Sequence, residues 1–303
     1  MKKSSKFGFS LIELSLVILV IGILVTGTAK GSRIIKEAKL KSARALTQSS
    51  VVAAYPDLAL WLETTSEKSF DYDQRTDNSA VITWYDINPQ TISPLNVSQT
   101  LNIRKPLYID GYTNGLPALK FDGTNDFLQR TNVMSSDLTK FANEITIFIV
   151  QKYNSTAMMS SAIYWEDVTG NRINLHTPWN NGVMYFDFGY SPTATDNRIS
   201  YTLPATYYNK TNIITGVRRT GAVGKLRING VQYGQSSSLT ATLNPGSSIL
   251  NIAKYVSLAN SNVYYQNSYI NEVIIYRVGL SDDEIAGVEN YLSAKWGIRL
   301  RGL

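Results

Sequence analysis

From Phe9 to Ala29 the chain runs through 21 residues whose only charge is Glu13. A run of that length, as a helix, is long enough to cross the apolar core of a bilayer. A carboxylate inside such a run is costly unless something pairs with it. Before it stands a short polar leader, Met1 to Gly8, with Lys2, Lys3 and Lys6. After it, Lys30 to about Ser50 continues with helical spacing, Ile34, Ile35, Ala38, Ala45 and Leu46 on one face and Lys36, Lys39, Lys41 and Arg44 around it. The apolar core is too long for an ordinary secretory signal, whose core spans roughly 7–15 residues. Three basic residues precede the span and six follow it within the first fifty, a count that by itself would put the C-terminal side in the cytoplasm.

The stretch "GFSLIE", followed by an unbroken apolar run, resembles the processing site of type IV prepilins and type II secretion pseudopilins. The resemblance implies a cut by a prepilin peptidase between Gly8 and Phe9, with methylation of the new amine on Phe9. It makes Glu13 the assembly residue, paired with the N-terminal amine of a neighbouring subunit. Breaking such a pair leaves an uncompensated buried charge, which costs more than the pair contributes. The long helix lacks the proline of many pilins and has Gly22, Gly27 and Gly31 instead. The implied domains are a leader over 1–8, a transmembrane and assembly helix over 9–54, and a further domain over 55–303. The implied location is the inner membrane of a bacterium as precursor, then a filament at the cell surface.

Charge separates these parts. Residues 1–50 hold nine Lys/Arg and two acids, whereas residues 51–303 hold twenty and twenty-one. The body is near neutral and offers no field for nucleic acid, so no nucleic-acid partner is expected. Cysteine is absent and His176 is the only histidine, which excludes disulfides, thiolate nucleophiles and multi-histidine zinc sites.

From Tyr55 onward Gly, Asn, Ser and Thr punctuate short β-branched runs. "ITIFIVQKY", "GKLRINGVQY", "INEVIIYRV" and "PALKFDGTNDFLQR" read as strands, and "FDGTNDFL" as a hairpin with Gly123 and Asn125 suited to positive φ. Near the C-terminus "LSDDEIAGVENYLSAKWGI" predicts a helix, with Ser281 as N-cap, Glu284 completing a capping box and Gly297 closing it. The expected fold class is therefore mainly β: a long N-terminal helix carrying an antiparallel β-sandwich or jelly roll, with a short C-terminal helix.

"LALWLETT", "VITWYDI", "GLPALKFDGTNDFL", "TIFIVQK", "LRINGVQY", "YINEVIIYRVGLSDDEI" and "VENYLSAKWGI" stand in the order of bacterial laminin-G-like, concanavalin A-like lectin/glucanase domains. The resemblance covers about residues 55–298. It places Trp61, Trp84, Phe121, Phe127, Tyr276 and Trp296 at core positions. Glycosidases of this superfold set two carboxylates on one strand about 5 Å apart. No such pattern occurs here: Asp71 and Asp73 fall in a loop-like stretch, and adjacent Glu166 and Asp167 would face opposite sides of a strand. The domain is expected not to be an enzyme.

Ligand binding is the expected activity. Exposed aromatics beside planar polar groups suit sugars, and Trp165, Trp179, Asn180, Asn181, Tyr190 and Arg198 are the candidate ligand residues, with "NVYYQNSY" as a second aromatic cluster. Calcium accompanies the family, and clustered oxygens of Asp71, Asp73, Asp77 and Asn78, or of Asp122, Asn125 and Asp126, suit it; the same residues serve ordinary turns. The expected function is a minor type IV pilin-like subunit that displays a lectin-like domain for adhesion. Its partners would be other pilin subunits, the prepilin peptidase, the inner membrane before assembly, and a glycan or surface-protein ligand. The alternative is a structural minor pseudopilin of a type II secretion or pilus machine, with the sandwich as a packing module.

Overall fold

The computed structural model describes residues 11–140, 143–154, 159–190, 197–237, 239, 241–256 and 262–301. Gly8 and Phe9 lie outside them, and of Glu13 only the helical backbone is described. The chain divides into two compact units, one up to Ser42 and one from Ala43 onward.

In the first unit the helix Leu11–Gln48 begins. Leu14, Val17, Ile18, Leu19 and Ile21 on it are exposed. Among the described residues no helix is long and apolar enough to cross a membrane. The expectation of an inner-membrane precursor that becomes a cell-surface subunit is corrected accordingly. Between the charges of Glu13 and Lys30 the helix has 16 uncharged residues, short of the roughly 20 consecutive apolar residues a span requires.

The second unit is mainly β, an antiparallel sandwich. Among the described residues, one nine-stranded sheet runs Val231–Ser236, Gly224–Ile228, Asn212–Arg218, Ile145–Tyr153, Asn267–Tyr276, Leu116–Asp122, Leu107–Thr113, Ser79–Ala80, with Leu58–Glu63 also paired to Asn267–Tyr276. The second sheet runs Arg198–Thr202, Val183–Tyr190, Arg172–His176, Ile163–Glu166, Ser247–Ile252, Leu128–Met134, Val97–Ser98, Thr83–Trp84. One apolar cluster joins the inner faces: Leu60, Leu119, Ile147, Ile149, Ile214 and Val273 from the first sheet meet Ile163, Trp165, Leu175, Phe186, Phe188 and Leu250 from the second. The sheets approach so closely at Gly216 that an added Cβ would stand 2.8 Å from the Phe186 ring.

"FDGTNDFL" is not a hairpin. The strands it joins, Leu116–Asp122 and Leu128–Met134, belong to different sheets. Gly123 has φ 78°, and the Asp122 carboxylate accepts from the N–H groups of Thr124, Asn125 and Asp126. Gly123 takes the expected positive φ and Asn125 does not, and local turn chemistry does not specify whether the flanking strands pair.

The first sheet is covered on its other face as well, which explains why "ITIFIVQKY" reads as a continuous apolar run. The helix Asp282–Trp296 lies there, with the predicted capping box of Ser281 and Glu284 and with Gly297 at φ 66°. Ala43, Thr47 and Val52 are buried in the same unit. Between these elements sits a charged cluster without solvent exposure. Lys295 Nζ donates to Glu63 Oε2 at 2.9 Å, Glu272 Oε2 at 3.0 Å and Thr47 Oγ1 at 2.9 Å. Glu272 also accepts from Trp61 Nε1, Trp296 Nε1 and the Tyr291 hydroxyl.

Removing one partner of a buried ion pair costs about 3–5 kcal/mol because the other charge is left unpaired. Lys295→Met should therefore lower the urea unfolding free energy by about that amount. A loss no larger than that of an exposed lysine would refute the role given to the cluster.

Candidate functional site

The strand Arg172–His176 alternates in the manner of a sheet with two environments. Ile173 and Leu175 enter the core, while Arg172, Asn174 and His176 share the outer face. Across the sheet that outer face continues through Tyr185 and Asp187 on one side and Tyr164 on the other, set by the registers Asn174↔Asp187, His176↔Tyr185 and Asn174↔Tyr164. These groups are buried although they face away from the core. Asp187 has no exposure, His176 2% and Arg172 5%.

What buries them is aromatic. Tyr255, on the strand Lys254–Val256, accepts a hydrogen bond from Arg172 Nη1 at 3.3 Å and packs its ring 5.2 Å from His176. Trp179 packs 4.3 Å from His176 and 5.3 Å from Tyr255. Tyr264, on the paired strand Val263–Tyr265, stacks on Tyr255 at 6.0 Å. Tyr264 and Tyr265, with Asn180, Thr124 and Met159, line an open cleft of about 350 Å³.

Each charge beneath the rings has a partner of opposite sign. Arg198 grips Asp187 with two nitrogens, at 2.5 and 2.7 Å, and Arg172 Nε donates to it at 3.1 Å. Burial would raise the Asp187 carboxyl, but the hydrogen bonds and charge of Arg198, with the charge of Arg172, hold it below its ordinary range. Burial pushes His176 down to about 3, so the ring is neutral. Its Nδ1 faces the Ser160 carbonyl at 2.8 Å, and its Nε2 faces the Asn174 side-chain amide. Tyr164 donates to Glu166, whose carboxyl is raised by burial.

The ligand residues read from the sequence divide between the two faces. Trp179, Asn180, Asn181 and Arg198 belong to the outer face or its rim. Asn181 donates to the Tyr185 hydroxyl at 2.9 Å, and the Arg198 guanidinium lies 4.3 Å above the Tyr185 ring. Trp165 faces inward, fully buried, with its Nε1 donating to the Val133 carbonyl. Tyr190 pairs in register with Arg172 and its side chain is not described. Sequence reasoning passed over Arg172, Asn174, Tyr185, Asp187 and Tyr255. The alternation of "RINLH" was the available signal.

Among the described residues no group of three or more His, Cys, Asp or Glu side chains could hold a metal ion. Of the calcium candidates, Asp71 accepts from Gln74 and the Tyr85 hydroxyl, and Asp77 accepts from Asp110 N and the Asn78 amide. Asp73 is exposed in the short 3-10 helix Tyr72–Arg75, and Asn78 holds φ 63° in a turn. Asp122 and Asp126 brace the loop already described, and burial beside Asp122 raises Asp126 to about 6. Asp167 is likewise a turn brace, accepting from the N–H groups of Thr169, Asn171 and Asn244.

No family model matches the chain, and no curated protein does. Solved structures share the fold. The botulinum neurotoxin serotype D binding domain is similar with TM-score 0.53 and 14% identity, over 83% of this chain and 56% of that one. The binding domain of Paraclostridial Mosquitocidal Protein 1 gives 0.53 and 15%, over 80% and 55%. Trypanosoma rangeli sialidase in complex with sialic acid gives 0.48 and 14%, over 80% and 34%. This chain thus spans between a third and three fifths of those chains. The expectation of a non-enzymatic domain is withdrawn, because one fold hosts both binding and catalysis and likeness of fold assigns neither.

The neutral His176 gives a test of the buried face. Its folded value lies below the unfolded one, so the stability it confers is full above about pH 6.5 and is lost as pH falls toward about 3. The advantage of the wild type over His176→Phe should shrink by about 2 kcal/mol between pH 7.5 and 5, measured by urea unfolding. An advantage independent of pH would show that the ring is solvated.

Proposed function

We propose that the sandwich is a glycan-binding module of a type IV pilin-like subunit, and that sugar binds in the cleft of Asn180, Tyr264 and Tyr265. The observation that carries the binding reading is the construction of this cleft. An aromatic wall with an adjacent side-chain amide is the combination that sugar recognition uses: ring faces for C–H groups and a planar amide for hydroxyls. Tyr264 is backed by Tyr255, which rests on the Arg172–Asp187–His176 face, so the wall is set before ligand arrives. Preorganisation of that kind lowers the ordering cost of binding. The occurrence of the fold in toxin binding domains accords with this reading.

The pilin part rests on "GFSLIE" and its apolar continuation. In this reading the helix assembles with the helices of other subunits, Glu13 penalises misregistered neighbours, and the sandwich is the cargo that assembly displays.

Two measurements test the parts separately. Tyr264→Ala and Asn180→Ala should each weaken glycan binding about three- to tenfold on an array-derived ligand, in line with loss of one ring contact or hydrogen bond; unchanged affinity in both removes the cleft from the site. Mass spectrometry of the native N-terminus should show a chain beginning with methylated Phe9. An intact Met1 or a start at Lys30 refutes the pilin assignment.

A further inference from the structure

A cleft of about 780 Å³ lies elsewhere in the second unit, where the C-terminal segment after Trp296 passes the turns of the first sheet. Its volume is in the range of small-ligand sites. Lys210, Arg299 and Arg301 line it, and no Asp or Glu does. That is unusual for a body whose charges otherwise balance, with twenty Lys/Arg against twenty-one acids after residue 50. None of the three is in an ion pair among the described residues, and all three are exposed. The nearby acid Glu289 is already held by Arg227 Nε and Nη2, at 3.0 and 2.8 Å.

The walls are fixed. Arg301 N donates to the Asn229 carbonyl at 2.9 Å, and the Ser293 hydroxyl donates to the Ile298 carbonyl, which pins the segment on both sides of Arg299. The floor is polar and satisfied within itself: Asn229 Nδ2 donates to Asn212 Oδ1, and Asn212 Nδ2 donates to the carbonyls of Tyr207 and Lys210. A ligand therefore meets cations and the hydroxyls of Thr206 and Thr211 at the rim.

The ring faces are spoken for. Tyr112 stacks on Tyr269 at 3.6 Å, Tyr207 lies under the Arg301 guanidinium at 5.3 Å, and Trp296 is 1% exposed. With those faces occupied, the cleft lacks the stacking platforms that single-stranded nucleic acid requires. Tyr112 also accepts a hydrogen bond from Lys152 Nζ, a further cation beside the lining.

We infer that this cleft is a second binding site, for an anionic saccharide, with Lys210, Arg299 and Arg301 contacting its carboxylate or sulfate groups. The inference rests on the reading of the sandwich as a carbohydrate-binding module but not on the cleft at Tyr264. Charged hydrogen bonds to carboxylate or sulfate carry the affinity, and hydroxyl contacts orient the sugar.

Calorimetry on the full chain tests it with four probes: trigalacturonic acid, a heparin-derived tetrasaccharide, neutral galactotriose and hexaglutamate. One of the two acidic saccharides is expected to bind at least about tenfold more tightly than galactotriose, and more weakly as salt rises. The preferred one distinguishes carboxylate from sulfate. Arg301→Gln and Lys210→Gln should each cost about three- to tenfold while Tyr264→Ala costs nothing. Unchanged thermal unfolding of the variants shows that the fold is kept. Equal binding of galactotriose, tighter binding of hexaglutamate, sensitivity to Tyr264→Ala alone, or no binding of either acidic saccharide would overturn the inference. The Tyr264 reading is judged on its own neutral ligand, so either site can fail without the other.

Discussion

The pairing of Glu63 with Glu272 is the constraint on which the first sheet depends. The two are register partners on neighbouring antiparallel strands, both without exposure. Like charges directly opposite one another destabilise a sheet, and burial multiplies that cost. Lys295, inserted from the C-terminal helix, donates to both and changes the sign of the interaction. The neutral donors Trp61, Trp296, Tyr291 and the Thr65 N–H supply further hydrogen bonds to the cluster, leaving Glu63 Oε1 alone of its carboxylate oxygens without a partner. The strand register, the seat of the helix Asp282–Trp296 and the position of Thr47 at the end of the N-terminal helix are thereby one arrangement. Shifting any of them by a residue separates the ammonium from at least one carboxylate.

How far this was legible follows from how local each determinant is. The C-terminal helix was readable because Ser281, Glu284 and Gly297 act within a few residues of one another. The strand runs were readable from β-branched segments bounded by turn residues. The cluster was not, since Glu63 and Lys295 stand 232 residues apart and each alone is an unremarkable charge. The loop after Asp122 failed for the same reason, its turn chemistry being local and the choice of sheet for the next strand being global.

The candidate site shows the same division. Trp165 and Tyr164 are adjacent, and only the parity of their strand decides that the tryptophan enters the core and the tyrosine faces outward. Ile163, two positions before Trp165, carries that parity in the sequence. His176 gave no signal as a lone histidine, yet with Arg172 and Asn174 at steps of two it marks a polar face. Tyr255 could not have been found by pattern, because its partners Arg172, His176 and Trp179 come from other strands and turns.

The buried outer face is an expensive way to end a sandwich. An ordinary second sheet would leave Arg172, Asp187 and Arg198 in water at no cost, whereas burial requires every charge to be matched. Here the matching is nearly complete, with two guanidiniums on one carboxylate, and it gives Tyr255 a fixed seat. Stability alone does not select such a device, since apolar packing of the same volume serves as well or better. A fixed seat for Tyr255 does have a consequence for the ring stacked on it. Tyr264 then stands at the cleft with much of its rotamer freedom already removed, and that freedom would otherwise be lost on binding. In the reading proposed for the cleft, ordering Tyr264 on folding lowers the ordering cost of binding.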